Sequence, residues 1–511
     1  MARTETAHDE ALAAGQSLPT HARIAIIGTG FAGLGVAIKL LQAGHDDLVI
    51  LERADDVAGT WRDNTYPGCM CDVPSHLYSF SFAPNPEWSH VFSPQPEIRA
   101  YLRRCAEDFD VIRHVRFGHD VTGATWDDVA QHWDITTSKG DLTADLLVMG
   151  TGPLAEANTP DIPGIDEFPG AIFHSAKWDH DHDLSGERVA VIGTGASAIQ
   201  FIPFVQGRAA KVEVFQRTPP WVLPHPNRRT NRVAKAIYRR LPPAQLAMRA
   251  AIYWSRELLI LGFVHRPSLM KVPAQMGRRN ITNAIKDAAL VKKLTPTYNV
   301  GCKRILMSNT YYPALAQPNV AVHTGGVHEV RGSMVISGDG THAEVDTIIF
   351  GTGFRVTDNP QMEKVKGTDG RTIGDAIRSG EGCHLGTTFH GFPNLFMMAG
   401  PNTGIGHTSL VYMIESQITY LLDALRVLDR RGAQSFDVRA EAQAEFVEWV
   451  NNKTKGTIWE SGCKSWYLDE HGRNTTLWPG FTFEYRAKVR RFDEHHHNFV
   501  AHAAVVRERL D

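Results

Sequence analysis

An apolar, β-branched strand that runs into a glycine-rich turn and then into a helix occurs twice in this sequence, and it constrains the fold more than any other feature. The first copy starts at Arg23 and reads RIAIIGTGFAGLG; the second, near residue 189, reads RVAVIGTGASAIQ. The glycines of such a turn allow a tight bend, a close approach of backbone N–H groups to a pyrophosphate, and close packing of helix on strand. Two copies predict an α/β protein with two Rossmann-like dinucleotide-binding domains.

The first turn supplies Gly28, Gly30 and Gly33 for these three roles. The next strand, residues 47–51, ends in Glu52, about 20 residues after the turn, where a carboxylate can accept hydrogen bonds from a ribose. Glu52 therefore favours a dinucleotide whose adenosine ribose carries no phosphate. The other predicted lining residues of this first site are Phe31, Arg53, Thr60 and Trp61.

The second turn supplies Gly193, Gly195 and Ala198, but the strand that follows it, residues 212–216, ends in Arg217-Thr218. A cation and a hydroxyl at this position would hold a 2′-phosphate and so favour NADPH. The alternative is that Arg217 is a solvated strand end. Further residues predicted to contact this dinucleotide are Ala196, Ser197, Gln200, Thr352 and Gly353.

Two more strands end in Gly-Thr-Gly, at residues 150–152 and 351–353, and are predicted to lie where the chain crosses between the domains. The predicted layout is a disordered leader over residues 1–20, a discontinuous domain for the first dinucleotide over 21–155 and 385–511, and a domain for the second dinucleotide over 156–384. Apolar residues at helical spacing predict a helical insertion over 223–300, which would roof the site. Asn402 follows a strand and is predicted to lie beside the first dinucleotide.

Composition argues for small, uncharged substrates. With 53 basic and 56 acidic side chains the net charge is −3, which predicts no basic field for nucleic acid or anionic lipid. The apolar stretch 250–264 is interrupted by Arg256 and Glu257, so it is predicted to be a buried or interfacial helix and not a transmembrane segment. Six scattered cysteines form no framework of spaced pairs, which suits a reducing cytoplasm.

One further segment could bind metal. His495, His496 and His497 form a run, yet no carboxylate or cysteine pattern in the sequence completes a site. No metal site is predicted, and the run is interpreted as part of a solvated tail.

Four segments narrow the chemistry. Residues 168–179 read FPGAIFHSAKWD and match the Phe-x-Gly-x-x-x-His-x-x-x-Trp-Pro/Asp fingerprint of type I Baeyer–Villiger monooxygenases. Residues 58–72 resemble a second signature of that family, Gly301 to Arg304 resemble its Lys-Arg stretch, and Ser465-Trp466-Tyr467 resemble its Trp segment. The resemblance extends from residue 23 to about 490 and, around 301–315, is closest to the subgroup of 4-hydroxyacetophenone monooxygenase.

The resemblance implies an enzyme that uses FAD, NADPH and O2 to insert one oxygen atom into ketones, giving esters or lactones through a flavin peroxide, and that also oxidises sulfides. It implies that Arg304 is the main catalytic residue, since a fixed guanidinium can hold a negative peroxide and the later oxyanion. Asp72 would pair with Arg304, Lys303 would join Arg217 and Thr218 at the 2′-phosphate, and Trp466 would lie beside the cofactor. The fingerprint residues Phe168, Gly170, His174, Trp178 and Asp179 would position the domains.

Three alternatives stay open at this point. An N- or S-oxygenating flavin monooxygenase needs no cation at the peroxide, so Arg304 and Trp178 argue against it. A flavoprotein disulfide reductase needs a dithiol, whereas Cys69 and Cys71 have only one residue between them and are predicted to be packing residues. A non-catalytic nucleotide sensor would keep both folds without turnover. His174 has its own alternative, a packed histidine satisfied by backbone groups, and the sequence leaves the oligomeric state open.

Overall fold

The computed structural model of the chain describes residues 17–463 and 465–501. The predicted leader over residues 1–20 lies outside the described residues except for its last four. The glycine turns, the strands that precede them and the helices that follow them all lie within the described residues.

The first glycine turn belongs to an eight-stranded sheet. His21–Ile27 lies in its centre, parallel to Leu48–Glu52 on one side and to Gly140–Met149 on the other. The strand before the turn is buried on both faces, which explains its continuous apolar sequence. The remaining strands of this sheet are Val115–Phe117, Val121–Asp127, His132–Thr137, Val365–Lys366 and Leu395–Met397.

The second glycine turn belongs to a five-stranded sheet that is parallel throughout. Its strand order is Val320–Thr324, Lys211–Gln216, Arg188–Ile192, Thr347–Phe350 and Ala171–His174. The two sheets confirm the prediction of an α/β chain with two dinucleotide-type units. Three smaller sheets contain Val222–Leu223 with Leu306–Met307, Val327–Arg331 with Met334–Ser337 and His342–Glu344, and Ala433–Val438 with His497–Ala501.

The helices cover the sheets and form a separate layer inside the second unit. Those packed around the first sheet are Phe31–Gln42, Thr60–Asp63, Gln95–Asp108, Ile373–Arg378, Leu410–Arg431, Ala440–Thr454 and Thr482–Lys488. The second unit contains Ala198–Gln206, Tyr311–Leu315 and the helices of the insertion, which are Arg232–Arg240, Pro242–Glu257, Lys271–Ala284 and Ala288–Leu294. A π-helical segment, Leu261–His265, and a 3-10 turn, Pro267–Met270, connect two of the insertion helices.

The chain returns to the first sheet earlier than predicted. Val365–Lys366 pairs in parallel with Val121–Asp127, and Ile373 and Ile377 pack in the core of that sheet. The predicted return at residue 385 was therefore about 20 residues late, because a two-residue edge strand has no periodicity from which it could be recognised.

The glycines of the first turn have the steric roles that the sequence predicts. Gly28 has φ of 95°, a backbone conformation that favours glycine. A Cβ on Gly33 would lie 1.8 Å from the carbonyl oxygen of Gly28, so helix and strand pack too closely here for any side chain. A Cβ on Gly30 would meet no protein atom within 4 Å. This open side of the turn is the side on which a pyrophosphate would lie.

These distances predict opposite outcomes for two similar substitutions. Gly33→Ala should lower the free energy of unfolding by about 3 kcal/mol, because the helix must move off the strand. Gly30→Ala, the matched control, should change it by less than about 1 kcal/mol. Chemical denaturation of the two variants measures the difference, and equal destabilisation would contradict the packing role of Gly33.

Candidate active site

The residues predicted around the first turn line one cleft. The cleft lies at the carboxyl ends of the central strands of the first sheet, where ligands of open α/β sheets bind. Its walls include the predicted residues Gly28, Gly30, Phe31, Glu52, Arg53, Thr60 and Trp61. Sequence reasoning missed other lining residues, among them Asp120, Val121, Leu154, Gln361, Leu410 and Ile414.

Glu52 is buried and fully engaged in hydrogen bonds. One carboxylate oxygen accepts from the backbone N–H and the hydroxyl of Thr29, at 3.0 and 2.5 Å. The other accepts from the N–H of Ala54 and from the Arg62 guanidinium, both at 3.0 Å. Because a carboxylate has four good acceptor positions, Glu52 already fixes the conformation of the glycine turn before any ribose binds.

The second turn repeats the geometry of the first. Gly193 has φ of 104°, and a Cβ on it would lie 2.5 Å from the carbonyl oxygen of Gly351. A Cβ on Gly195 would come no closer than 3.7 Å to a protein atom, so this position is open like Gly30. The Thr352 hydroxyl donates to the carbonyl oxygen of Asn158, which joins the predicted crossing strand to the interdomain linker.

Two of the predicted phosphate ligands lie near each other. Burial lowers the pKa of Lys303, and the charge of Arg217 lowers it further. The Lys303 ammonium also lies 5.1 Å from the centroid of the Tyr298 ring. Within the described residues neither cation forms an ion pair with a carboxylate, so the site carries uncompensated positive charge.

Arg304 and Asp72 form a bidentate ion pair. The Arg304 Nε donates to Asp72 at 2.9 Å, and Nη2 donates to both carboxylate oxygens at 2.7 and 2.6 Å. The attraction of Asp72 raises the pKa of Arg304 above its ordinary value. Nη1 has no acceptor among the described residues, and 42% of the Arg304 side chain is exposed. The pair therefore fixes the plane of a guanidinium that keeps donors free for a further anion.

The segment that carries Arg304 is cross-linked to a distant part of the chain, a contact that sequence reasoning missed. Cys302 forms a disulfide with Cys463, 161 residues away. The sequence predicts no framework of spaced cysteine pairs; one pair nevertheless forms, and it leaves no spacing pattern because its two cysteines are so far apart in the chain. Cys69 and Cys71 are free and buried, as predicted, and burial raises the pKa of the Cys69 thiol to about 12.

The fingerprint residues form the edge of the second sheet. Ala171–His174 pairs with Thr347–Phe350, and a Cβ on Gly170 would lie 1.9 Å from the carbonyl oxygen of Asp346. The Trp178 ring packs against Phe173 and Phe201, with centroids 5.2 and 5.3 Å away. Asp179 accepts hydrogen bonds from the N–H groups of Asp181 and His182 and so fixes the turn that follows.

His174 is buried, and burial lowers its pKa to about 4, so the ring is neutral near pH 7. Its Nδ1 accepts from the N–H of Ala176 at 3.0 Å, while Nε2 is buried without a hydrogen-bond partner among the described residues. A backbone group thus satisfies only one of the two ring nitrogens, and the positioning role of His174 stays a prediction.

Gln200 bridges the two nucleotide units. Its side-chain oxygen accepts from the Tyr66 hydroxyl at 3.0 Å and from the Met70 N–H at 3.3 Å, and its amide donates to the Met70 carbonyl at 3.1 Å. Tyr66 also packs edge-on against Phe201, with centroids 6.1 Å apart. Residues 58–72 thus contact the helix that follows the second glycine turn, at the interface between the units.

The remaining predicted residues lie outside the first cleft. Asn402 does not line the first cleft; it is buried, and its amide donates to the carbonyl oxygen of Asn474 at 2.6 Å. Trp466 is half exposed and packs edge-on against Tyr467, whose ring lies close enough to Arg304 to affect its pKa. Ala196 and Ser197 lie in the second turn, and Thr218 follows the strand Lys211–Gln216.

The histidine run also differs from its interpretation as part of a solvated tail. Asp493 lies beside it and accepts hydrogen bonds from His496 and from the distant His384, both at 2.8 Å. His497 is buried. A carboxylate therefore does accompany the run, and the three groups lie close enough together to hold a cation. His384 could not be found by local spacing, because it lies more than 100 residues away.

The chain matches the model of the family described as flavin-binding monooxygenase-like over residues 21–366. It therefore belongs to that family. Two relatives from the curated proteins, both named Baeyer–Villiger monooxygenase, narrow its place within the family. One from Streptomyces coelicolor is 52% identical over 93% of this chain and 92% of its own length. One from Pseudomonas aeruginosa is 48% identical over 93% and 90%. The chain stands among the Baeyer–Villiger monooxygenases.

Solved structures resemble the chain over nearly its whole length. A steroid monooxygenase bound to NADP has a TM-score of 0.82 at 29% identity, covering 94% of this chain and all of its own. A closed form of cyclohexanone monooxygenase has a TM-score of 0.83 at 28% identity, covering 95% and 100%. No helix in the described residues is both long and apolar enough to cross a membrane.

The bridging role of Gln200 yields a prediction. Gln200→Ala removes three hydrogen bonds between the units and should lower the free energy of unfolding by about 2 kcal/mol. Gln206 lies on the same helix, and its amide donates only to Asn319 within one unit, so Gln206→Ala is the control and should cost about 1 kcal/mol. Urea denaturation compares them. A smaller loss for Gln200→Ala than for the control would contradict the bridge.

Proposed function

We propose that the chain is an FAD- and NADPH-dependent Baeyer–Villiger monooxygenase that inserts one atom of O2 into ketones to give esters or lactones, and that it also oxidises sulfides. The observation that carries the proposal is the Arg304–Asp72 pair, in which a permanent cation is held in a fixed plane with free donors beside the two nucleotide sites. FAD, once reduced by NADPH, would supply the oxygen-transfer chemistry at this place.

Both nucleotide sites fit their cofactors. The first offers a glycine turn with an open side at Gly30, which suits a pyrophosphate. The acceptor positions of Glu52 are taken by protein donors, but its negative charge disfavours a phosphorylated ribose. The second offers an equally open Gly195, with Arg217 and Lys303 as unpaired cations nearby. A 2′-phosphate would neutralise that positive charge, which supports NADPH over NADH.

Arg304 would stabilise negative charge on oxygen during the transfer. A guanidinium remains charged at any physiological pH and presents several donors in one plane. With Nε and Nη2 engaged by Asp72, the free Nη1 can donate to an anionic oxygen before and after it adds to the substrate carbonyl. Asp72 would act as a positioning residue by limiting the rotation of the guanidinium.

The rival functions have less support. A disulfide reductase would need a reactive dithiol near the flavin, whereas Cys69 and Cys71 are buried, unpaired, and raised in pKa. An N- or S-oxygenating monooxygenase has no use for the cation at Arg304. A cytoplasmic location is part of the proposal and rests on the four free thiols of the described residues.

Product analysis tests the function directly. Purified protein incubated with NADPH, O2 and a panel of linear, cyclic and aromatic ketones should convert at least one of them into a product heavier by one oxygen atom. NADPH oxidation without any oxygenated product across ketones and sulfides would contradict the proposal and favour the nucleotide-sensor alternative.

Removal of the Arg304 cation should impair oxygen transfer to the substrate without impairing the reduction of FAD by NADPH. Arg304→Ala should reduce ester formation at least 100-fold, because the transition-state anion loses its partner, while the reduction of FAD by NADPH continues. Stopped-flow absorbance measures flavin reduction, and mass spectrometry measures the ester. Arg304→Lys keeps the charge but not the bidentate geometry, so its rate of ester formation should fall between those of the wild-type protein and Arg304→Ala. Ester formation retained by Arg304→Ala would refute the assignment.

Arg217 and Lys303, the predicted ligands of the 2′-phosphate, should affect the KM for NADPH much more than the KM for NADH. Arg217→Ala should raise the KM for NADPH about tenfold or more while changing the KM for NADH little, because only NADPH carries the 2′-phosphate. Lys303→Ala should act in the same direction. Arg208 is also exposed, on the turn after the Ala198–Gln206 helix, and Arg208→Ala provides the control. Equal effects on both nucleotides would exclude a phosphate contact.

A further inference from the structure

The helical insertion has a charge balance unlike that of the rest of the chain. Residues 228–293 contain fifteen Lys or Arg and two Asp or Glu, a formal excess of thirteen positive charges. The remainder of the chain therefore has a formal charge of −16, since the total is −3. Of the two acidic residues, Glu257 is buried and Asp287 caps a helix. The surface of the insertion is thus strongly cationic although the whole chain is nearly neutral.

The same insertion exposes a continuous set of large apolar side chains. We name it the apolar ridge; it consists of Trp254, Leu258, Leu261, Leu269 and Val272, which are 56%, 64%, 36%, 50% and 65% exposed. Trp254, Leu258 and Leu261 are three or four residues apart, a spacing that places side chains on one side of a helix. The buried Tyr253 and Glu257 lie on the neighbouring side of Pro242–Glu257. Solvent therefore faces the apolar side chains of this segment.

The two halves of the apolar ridge meet in space. The Arg266 N–H donates to the carbonyl oxygen of Leu261, and a Cβ on Gly262 would lie 3.7 Å from the Leu269 Cβ. Phe483, itself 39% exposed, extends the ridge at Trp254, with ring centroids 5.8 Å apart. A patch of this kind on an otherwise polar surface marks an interaction site.

Cations surround the apolar ridge without carboxylate partners. Arg266 and Lys271 lie within its sequence, and Arg240, Arg278 and Arg279 lie on the adjoining helices. All five are exposed, and none forms an ion pair with any carboxylate in the parts of the chain that the structure describes. Exposed Trp and Leu among unpaired Lys and Arg are the composition of a surface that lies in the headgroup region of an anionic membrane.

We propose that the apolar ridge and its surrounding cations dock the protein onto the surface of an anionic lipid bilayer. The apolar side chains enter the headgroup region while the cations contact lipid phosphates. A second copy of the chain fits less well, because a symmetric dimer would bring the ridge and its cations against themselves. Nucleic acid would pair with the cations but leave the apolar side chains in water.

The position of the apolar ridge relative to Arg304 gives the docking a consequence. Phe263 and Met270 lie beneath the ridge, and a Cβ on Gly301 would meet them at 2.9 and 3.0 Å. Gly301 precedes Arg304 by only three residues. One layer of side chains thus separates the membrane-facing surface from the segment that carries the guanidinium, so docking would bring the site next to apolar molecules dissolved in the bilayer.

Vesicle flotation tests the docking with the full chain. At 50 mM salt, at least ten times more protein should float with vesicles of phosphatidylcholine and phosphatidylglycerol in a 3:1 ratio than with phosphatidylcholine alone, and 500 mM salt should abolish the difference. Absence of flotation with the anionic vesicles at low salt would overturn the proposal. Equal flotation with both compositions would overturn the electrostatic part on which the choice of an anionic surface rests.

Substitutions in the apolar ridge and in its surrounding cations test whether this surface is the one that binds the vesicles. Trp254→Glu combined with Leu258→Glu should lower the bound fraction at least tenfold, and Arg278→Glu combined with Arg279→Glu should do the same. Val129→Glu is the matched control, because Val129 is 95% exposed in the turn between Val121–Asp127 and His132–Thr137. NADPH oxidation by each variant shows that it is folded and is independent of the lipid readout. Unchanged flotation of both double variants would refute the docking. The docking would also be refuted if the protein did not float and instead formed a dimer that Trp254→Glu combined with Leu258→Glu dissociates.

Discussion

The ion pair between Arg304 and Asp72 is the interaction on which the arrangement of the site depends. Its two members come from different units and are 232 residues apart. Asp72 follows Met70, whose backbone is held by Gln200 of the second unit, and Arg304 follows Cys302, which is cross-linked to Cys463. The guanidinium therefore has its geometry only when three distant parts of the chain are docked. A cation positioned in this way is a property of the assembled molecule and of no single domain.

The same pair explains why a carboxylate beside the cation is compatible with anion stabilisation. Asp72 compensates part of the charge, but it occupies only Nε and Nη2. The pairing also defines the direction of the remaining donor, because a bidentate contact restricts the guanidinium plane and so fixes where Nη1 points. An unpaired arginine would carry more net charge yet spread its donors over many rotamers, which is less useful for a charge that develops at one oxygen atom.

Sequence reasoning succeeded where the constraint is local and steric. The glycine turns follow from backbone geometry alone, and the clash of 1.8 Å at Gly33 shows why no other residue serves there. It failed where partners are distant. The Cys302–Cys463 disulfide and the approach of His384 to Asp493 both join segments whose separation carries no spacing pattern. The short strand Val365–Lys366 was missed for a related reason, since two residues are too few to show a period.

Charge shows how an average over the chain can mislead. A net charge of −3 predicts no basic field for the molecule as a whole, yet it hides an insertion with thirteen excess positive charges that the rest of the chain balances. Screening acts over about 8 Å at physiological salt, so a surface responds mainly to its own patch and not to the total. An insertion that carries both this charge and exposed Trp254 and Leu258 therefore has a local field of its own. That field meets the site at its inner boundary, because burial lowers the pKa of Arg256 and the charge of Asp72 opposes this shift. The docking surface and the site are thus coupled where they meet, and a change in the charge of either affects the other.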